Sequence, residues 1–382
     1  MSSRLAGLLC AGAAALALPA HAQFANLKLY GNLNLDLEFL RGAQVDGTNP
    51  TVNRVSSNSS RFGIRGTEYI GGGLAAIYQI ESSVQADTGG SALASRETFV
   101  GLQSDWGTIK VGKFLTPYDD IHPIFGNTPT LTTSVLSTAA LWAQGTQNKG
   151  QGGFDARLGN SIRYDSPTSK GFTGAVQYST RDSSGNADGA AGDNGDHPSE
   201  LSHARVWSLG GLYSGGPIDL GVAYERNDRV RAVGRHDDAF SISGAYDFGE
   251  AGSVFNARVA LIYERLKYDT LDGNLKRDFY GISANVPVGG GWIYAFWGHA
   301  SDGKGTTADG TQVGGLIKGP GTASEQWELS YTYNLSLRSM VYAGYVRINN
   351  RANAAYTFNI NDYEIAPGAK PSGFVLGMAH FF

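Results

Sequence analysis

Apolar and polar residues alternate one by one through several stretches of the chain. At positions 27–39 the odd positions carry leucine, glycine or phenylalanine, and the even positions carry mainly charged or amide side chains. A period of two places successive side chains on opposite faces of a β-strand, whereas a helix repeats every 3.6 residues. The same alternation returns around Ile218, Phe240 and Trp327. The chain is therefore predicted to be all-β.

The two faces of these strands differ in a way that favours a membrane environment. One face is apolar and is flanked by aromatic residues such as Tyr224, Tyr246 and Trp327. The other face carries many charges, which would not suit the packed interior of a soluble β-sandwich. Strands that are apolar outside and polar inside, with aromatic girdles at both interfaces, are typical of transmembrane β-barrels.

The links between the predicted strands are alternately short and long. Short links, such as those at 104–107, 215–217 and 288–291, contain residues of tight turns, whereas long links rich in Gly, Asp, Asn and Thr lie at 181–203 and 301–322. About sixteen antiparallel strands can be counted, and short periplasmic turns with long outer loops are expected of a bacterial barrel. A barrel of this strand number encloses an aqueous lumen rather than a packed core.

Composition agrees with a barrel and excludes several other classes. Charged residues make up 17% and hydrophobic residues 41% of the 382 positions, and after the N-terminus no run reaches the roughly 18 apolar residues of a spanning helix. The net charge of −4 indicates no nucleic-acid partner.

The N-terminus is interpreted as a secretory leader. Arg4 is followed by an apolar run and by a small-residue cleavage pattern, so residues 1–22 are expected to be a signal peptide. Residues 23–382 would then form a single transmembrane barrel domain. An N-terminal membrane anchor and a lipoprotein acceptor at Cys10 are the alternatives. Because Cys10 is the sole cysteine, the mature chain is expected to have no disulfide and no cysteine-bound metal.

One link, residues 115–155, is much longer than an ordinary loop. It contains apolar residues, among them Tyr118, Phe125, Leu141 and Trp142, which indicates that it packs against other parts of the protein. We expect it to fold into the lumen as a constriction loop. An exposed binding loop is the alternative.

Charged side chains on the polar faces are candidates for lining such a constriction, because rings of charged side chains select ions by sign. Arg61 and Arg65 alternate with apolar neighbours, so both are expected to point into the lumen. For any single arginine, an ordinary ion pair with a neighbouring acid on the barrel wall is the alternative. The candidate constriction residues are Arg61, Arg65, Arg96, Arg163, Glu81, Asp119 and Asp120.

Several segments resemble the general porins of Gram-negative β-proteobacteria. They are SRFGIRG at 60–66, YQIES at 78–82, FVGL at 99–102 and NSIRYDSP at 160–167, together with the final Phe382. No single motif is specific, and the resemblance rests on their order and spacing along nearly the whole mature chain.

The resemblance implies a homotrimer of sixteen-stranded barrels in the outer membrane, each with its own pore narrowed by the third outer loop. It implies that Arg61, Arg96 and Arg163 form a basic wall of the constriction, with Glu81 and Asp119 as acidic partners. It also implies that Phe382 is a signal for outer-membrane assembly.

One departure from the family bears on selectivity. The family's constriction loop often has an acidic residue where PIFGN at 123–127 has Ile124. With that carboxylate absent, a weak preference for anions is expected.

The function expected from these observations is passive diffusion of ions and small hydrophilic solutes through a water-filled channel. Its partners would be outer-membrane lipids, lipopolysaccharide and the barrel assembly machinery, with no cofactor or metal. A channel specific for a small anion or sugar is the main alternative. An outer-membrane enzyme is disfavoured, because no serine or aspartate in the sequence forms a recognisable catalytic arrangement with a histidine.

Overall fold

The computed structural model describes residues 26–127, 130–143, 153–180, 204–230, 234–254, 256–313, 316–359, 361 and 363–382. The predicted signal peptide, residues 1–22, lies outside the described residues. No helix within these ranges is long and apolar enough to cross a membrane.

The strands are β1 Lys28–Arg41, β2 Val52–Ser57, β3 Arg61–Gly71, β4 Leu74–Val84, β5 Ser91–Ala92, β6 Thr98–Ser104, β7 Gly107–Leu115, β8 Arg157–Asp165, β9 Phe172–Ser179, β10 Arg205–Gly215, β11 Ile218–Asp228, β12 His236–Asp247, β13 Arg258–Thr270, β14 Gly273–Val288, β15 Gly291–Ala300, β16 Lys304–Gly305, β17 Gln312–Val313, β18 Leu316–Ile317, β19 Ser324–Asn334, β20 Ser339–Asn350 and β21 Ser372–Phe381.

Sixteen antiparallel strand positions close into a barrel, as predicted. β2 and β3 share one position, because β1 pairs with β2 along one part of its length and with β3 along the other. The barrel closes where β21 pairs with β1, from Asn32 opposite Phe381 to Arg41 opposite Ser372. The described part of the wall therefore has no free edge. β5, β16, β17 and β18 are two-residue strands that add short pairings outside this set of sixteen.

The alternation in the sequence becomes an apolar outside and a polar inside. On β1, Leu33 and Leu37 are 41% and 48% exposed, whereas Asp36 and Glu38 are buried. The leucines are exposed because they face away from the barrel, and the acids are buried because they face its crowded interior. An apolar outer face and a polar inner face are the arrangement that lipid outside and water inside require.

Aromatic side chains border the apolar outer surface at both ends of the barrel. At one end Tyr263 lies opposite Tyr280, and Trp297 lies opposite Trp327. At the other end Phe172 contacts Tyr213, with ring centroids 4.6 Å apart. These rows mark the two membrane interfaces, where amphipathic rings are favoured.

The two ends of the barrel carry different connections. At the end that we name the short-turn end, β3 joins β4 through Gly72 and Gly73, whose φ angles of 62° and 78° favour glycine. Two residues also join β6 to β7 and β14 to β15 there. The opposite end, named the long-loop end, carries the connections 42–51, 116–156, 301–323 and 351–371.

Candidate functional site

The connection 116–156, named the inner loop, runs inside the barrel. Tyr118 donates a hydrogen bond from its hydroxyl to Glu264 of β13 at 2.7 Å, and the indole Nε1 of Trp142 donates to Ser241 of β12 at 3.2 Å. Tyr294 of β15 donates to the carbonyl of Phe125 at 2.7 Å. Because these wall residues face inward, the described parts of the loop lie in the lumen. Residues 128–129 and 144–152 of the loop lie outside the described residues.

Apolar packing explains why the inner loop lies against this wall. Tyr118 and Trp142 stack with ring centroids 5.6 Å apart, and both are fully buried. Glycines on the wall make room for the loop. A Cβ at Gly221 would lie 2.6 Å from Ile124, and one at Gly344 would lie 2.8 Å from Leu136, so a larger residue would push the loop inward.

A buried ion pair fastens the middle of the inner loop. Glu264 of β13 and Arg277 of β14 are fully buried and bonded to each other. Arg277 also donates to the carbonyl of Leu141, and the backbone amide of Ala143 donates to Glu264 at 2.8 Å. Removing one partner of a buried ion pair leaves the charge of the other partner uncompensated, so this contact holds the loop firmly.

Three predicted site residues meet on the opposite wall. Arg96 donates from Nε to Glu81 at 2.6 Å, and the Nε of Arg61 lies 3.6 Å from the same carboxylate. Tyr30 also donates to Glu81, at 3.0 Å. The family resemblance implied that Glu81 is an acidic partner of these arginines, and its carboxylate lies between Arg61 and Arg96. Glu81 thus neutralises part of the charge of two guanidinium groups.

A fourth residue of this group, Arg157, was missed by the sequence analysis. Burial, followed by the neighbouring positive charges of Arg157 and Arg61, lowers the pKa of Arg96 to about 10, so Arg96 stays charged at neutral pH. The Nε of Arg157 has no hydrogen-bond partner within the described residues. Arg61, Arg96, Arg157 and Glu81, named the basic cluster, carry three positive charges and one negative charge. Alternation along β8 counted back from Arg163 does not indicate Arg157, because the register between β7 and β8 shifts between Gly112 and Phe114.

Arg163 and Asp120 meet at the root of the inner loop rather than in the basic cluster. Arg163 contacts Asp120 at 2.5 Å and Asp165 at 2.7 Å, and it also donates to the carbonyl of Leu115 at 3.0 Å. Burial raises the pKa of Asp120, and the positive charge of Arg163 opposes this rise. Arg163 therefore fastens the loop where it leaves β7.

Asp119 is half-buried beside other charges of the inner loop and the wall. Burial, followed by the negative charge of Asp155, raises its pKa well above the ordinary value, and Arg157 opposes the rise. Asp119 therefore binds a proton more readily than an ordinary aspartate.

The remaining predicted residues lie elsewhere. Arg65 is exposed on β3, with its guanidinium carbon 4.8 Å from the ring centroid of Tyr30. Phe382 follows β21, and its backbone exchanges hydrogen bonds of 3.0 and 3.1 Å with Gly31. Ile124, the position that lacks the expected acid, is buried against the wall at Gly221.

The arrangement as a whole suits passive diffusion of solutes. A lipid-facing barrel encloses a polar interior, an inner loop occupies one side of it, and charged side chains line the other. In the ranges that the structure describes, no group of three or more His, Cys, Asp or Glu side chains could hold a metal ion. These features define an outer-membrane diffusion channel.

Comparison with known proteins identifies the family. Residues 9–353 match the family model described as Gram-negative porin. The chain is 26% identical over 361 residues to an outer membrane porin protein of Bordetella pertussis, covering 83% of this chain and 87% of that protein. It is 29% identical over 223 residues to the major outer membrane protein P.IB of Neisseria meningitidis, covering 56% and 58% of the two chains. The chain therefore belongs to the Gram-negative porin family and forms a channel in the outer membrane.

Solved structures show the same fold. The anion-selective porin from Comamonas acidovorans superposes with a TM-score of 0.73 at 21% identity, covering 94% of this chain and 100% of that chain. A mutant of the outer membrane protein OmpT from Vibrio cholerae superposes with a TM-score of 0.64 at 15% identity, covering 94% and 99%.

Proposed function

We propose that the protein is a weakly anion-preferring general porin, through which ions and small hydrophilic solutes diffuse passively. The observation that carries this proposal is the basic cluster, where the guanidinium groups of Arg61 and Arg96 share the carboxylate of Glu81 and a third guanidinium group, that of Arg157, lies near Arg96. The inner loop supplies no compensating carboxylate at Ile124. A lumen with net positive charge at its narrow part lowers the free energy of an anion there relative to a cation.

The narrow part would lie between the inner loop and the wall that carries the basic cluster. The described parts of the loop pack on β10 to β15 and on β19 to β21, so the open passage would run along β3, β4 and β8. Solutes would then pass within reach of Arg61, Arg96 and Arg157. The Comamonas protein with the same fold is described as an anion-selective porin, which supports this preference.

We further propose that three copies assemble as a homotrimer, inserted by the barrel assembly machinery among outer-membrane lipids and lipopolysaccharide. A trimeric form of Vibrio cholerae OmpT, which shares the fold with a TM-score of 0.61, supports this oligomeric state. The long-loop end would face the cell exterior and the short-turn end the periplasm, as in bacterial barrels generally.

A planar bilayer with a salt gradient of KCl tests the function and the preference together. We expect large ohmic current steps in groups of three. The reversal potential should have the sign that a chloride-selective current gives. Arg61→Ala should move the reversal potential towards cations, because it removes one of three positive charges from the basic cluster.

The matched control is Arg347→Ala. Arg347 lies on β20 and donates to Asn349 at 2.8 Å, and it shares the outward face of Val341 and Tyr345, so its removal should leave the reversal potential unchanged. An equal shift in both variants would contradict the role of the basic cluster. A current blocked by one solute at low concentration would favour a substrate-specific channel, and a protein without current would not be a porin of this kind.

A further inference from the structure

The barrel wall contains one extra residue between β2 and β3. The pairing of β1 with β2 ends where Leu35 lies opposite Ser57. The pairing of β1 with β3 ends where Asn32 lies opposite Arg61. Two residues of β1 therefore lie opposite three residues, 58–60, which we name the wall bulge. An extra residue of this kind is a β-bulge, and bulges change the direction of the side chains beyond them.

The wall bulge decides which side chains of β3 face the lumen. On β2 the even position Arg54 faces inward, where it donates to Glu38 at 2.6 Å, and Val55 is 48% exposed on the outside. On β3 the inward positions are odd, so Arg61 faces the lumen and Phe62, which is 41% exposed, faces outward. Without the extra residue the alternation of β2 would continue, and Arg61 would point into the lipid.

The middle residue of the wall bulge, Ser59, has a left-handed backbone with a φ of 53°. Glycine is the usual residue in such a bulge, because a Cβ makes this conformation costly. The residues on either side are bonded to one residue of β1. The backbone amide of Asn58 donates to the carbonyl of Asn34 at 2.8 Å, and the hydroxyl of Ser60 accepts from the amide of Asn34 at 3.0 Å. A serine in place of glycine indicates that its side chain has a role.

The polar groups of Ser59 contact both the inner loop and the basic cluster. Its hydroxyl donates to the carbonyl of Thr132 in the inner loop at 3.3 Å. Its carbonyl accepts a hydrogen bond from Nη1 of Arg61 at 3.2 Å. The Nε of the same guanidinium lies 3.6 Å from Glu81. The carbonyl of Ser59 and the carboxylate of Glu81 together hold the guanidinium group of Arg61.

The neighbouring Asn58 bonds the inner loop to the same place. Asn58 is fully buried, and its side-chain oxygen accepts from the backbone amide of Ser134 at 2.8 Å. Its side-chain nitrogen lies 3.4 Å from the hydroxyl of Tyr342. Residues 132–134 of the inner loop are thus bonded to the wall bulge at two points.

We propose that Ser59 is a positioning residue for ion selection, which sets the place of the Arg61 guanidinium through its left-handed backbone. The hydrogen bond from its hydroxyl to the inner loop offsets the cost of that conformation. The conformation in turn directs the carbonyl of Ser59 towards Arg61. The inference rests on the proposed function, because it requires that Arg61 contributes to the anion preference.

Three substitutions at position 59 separate the backbone conformation from the side chain. Ser59→Val removes the hydroxyl, and its β-branched side chain disfavours a positive φ. Ser59→Gly also removes the hydroxyl but adopts a positive φ freely. Ser59→Asn tolerates this conformation and keeps a side-chain donor for the inner loop. Gln44→Val is the control, because Gln44 is exposed at the long-loop end with a φ of 52° and suffers the same backbone penalty there.

The reversal potential in a KCl gradient is measured for each full-length variant. Ser59→Val should shift it towards cations, in the direction of Arg61→Ala but less far, because Arg61 keeps its charge and loses its place. Ser59→Gly, Ser59→Asn and Gln44→Val should stay near the wild type. No shift for Ser59→Val, or an equal shift for Ser59→Gly, would overturn the positioning role.

If Ser59→Val forms no channels, Ser59→Ala takes its place in the comparison. Alanine keeps a Cβ at the positive φ but lacks the hydroxyl that offsets its cost. Ser59→Ala should therefore shift the reversal potential towards cations relative to Ser59→Gly. Equal potentials in these two variants would contradict the inference.

The double variant Ser59→Val with Arg61→Ala shows whether Ser59 acts through Arg61. It should have the reversal potential of Arg61→Ala alone, because no guanidinium is left to position. A further shift would mean that Ser59 acts by another route, and the inference would fail.

The same measurements separate this inference from the proposed function. A shift for Arg61→Ala without one for Ser59→Val would overturn the positioning role alone. An unchanged reversal potential in Arg61→Ala would overturn both, because Arg61 would then not contribute to the anion preference.

Discussion

Individual lumenal charges differ in how far their neighbours neutralise them, and this decides their contribution to the field in the pore. Arg163 has two carboxylates and a carbonyl within 3.0 Å, so little of its charge remains effective. Arg61 and Arg96 share one carboxylate, Glu81. Arg157 has an Nε without a hydrogen-bond partner within the described residues. We therefore expect Arg61, Arg96 and Arg157 to set the ion preference, and Arg163 to hold the inner loop.

The ion preference should depend on pH through Asp119. Its pKa is raised, so as the pH falls this carboxylate takes up a proton at a higher pH than an ordinary aspartate does. Loss of its negative charge makes the lumen more positive, so the anion preference should increase as the pH falls through the range in which Asp119 takes up its proton. Reversal potentials measured across this range give the effect.

Asp119→Asn should show the increased anion preference already above the pH range in which Asp119 titrates and should lose that part of the pH dependence. Asp105→Asn, at the exposed turn between β6 and β7, is the control and should keep the pH dependence of the wild type. If Asp119→Asn titrates like the wild type, another group is responsible. His122 is no candidate, since burial lowers its pKa to about 3 and keeps it neutral.

For single residues, the sequence predicted which side chains face the lumen but not which groups they form hydrogen bonds or ion pairs with. The alternation of Arg61 with Phe62 fixes the direction of the arginine, because strand geometry allows only two faces. The partner of Arg163 depends on where Asp120 lies in the inner loop, and a long loop has no periodicity from which its path could be derived.

The inner loop is the element that distinguishes this barrel from an open tube. Its anchors are aromatic packing, the Glu264–Arg277 pair and the hydrogen bond from Trp142 to Ser241. The apolar residues of 115–155 predicted that the loop packs somewhere. They could not predict which part of the wall the loop contacts, because nothing in the sequence distinguishes Gly221 and Gly344 from other glycines in strands.

Trp142→Ala should loosen the inner loop without opening the barrel wall. Removing a buried tryptophan costs about 3–5 kcal/mol of packing, so the loop should leave its place for part of the time. We expect larger and noisier single-channel conductance and entry of larger polyethylene glycols into the pore. Trp207→Ala is the control, because Trp207 is 44% exposed on the outside of β10. Similar conductance changes in both variants would mean that the loop is not the constriction.

The overall architecture of the molecule was the feature that the sequence predicted best. A closed sixteen-stranded barrel imposes one constraint on every strand, which is that alternate residues face lipid and water. That constraint repeats sixteen times, so local exceptions such as the division of one wall position between β2 and β3 do not obscure it. The small strands β16 to β18 carry no such repeat, and the sequence showed only a long loop there.

The variant Phe382→Ala tests whether the final residue is a signal for assembly of the whole barrel. In cells, the fraction of protein that runs as a folded barrel on unheated gels should fall several-fold. Refolding of the purified chain into lipid vesicles should change little, since only the wall position next to Gly31 is affected. Phe374→Ala, on the outward face of the same strand, is the control for a lost aromatic residue. Equal defects in cells for both variants would show a packing role rather than a signal.

The pairing of β21 with β1 has a consequence for the order of folding. Arg41 and Ser372, which meet where these strands pair, are 331 positions apart in the chain. The first strand therefore cannot find its second neighbour until nearly the whole polypeptide has been synthesised and exported. Until then two strand edges stay open, and open edges are sites of aggregation. Folding from the N-terminus onwards therefore cannot complete this molecule, and the barrel closes only when its first and last strands pair.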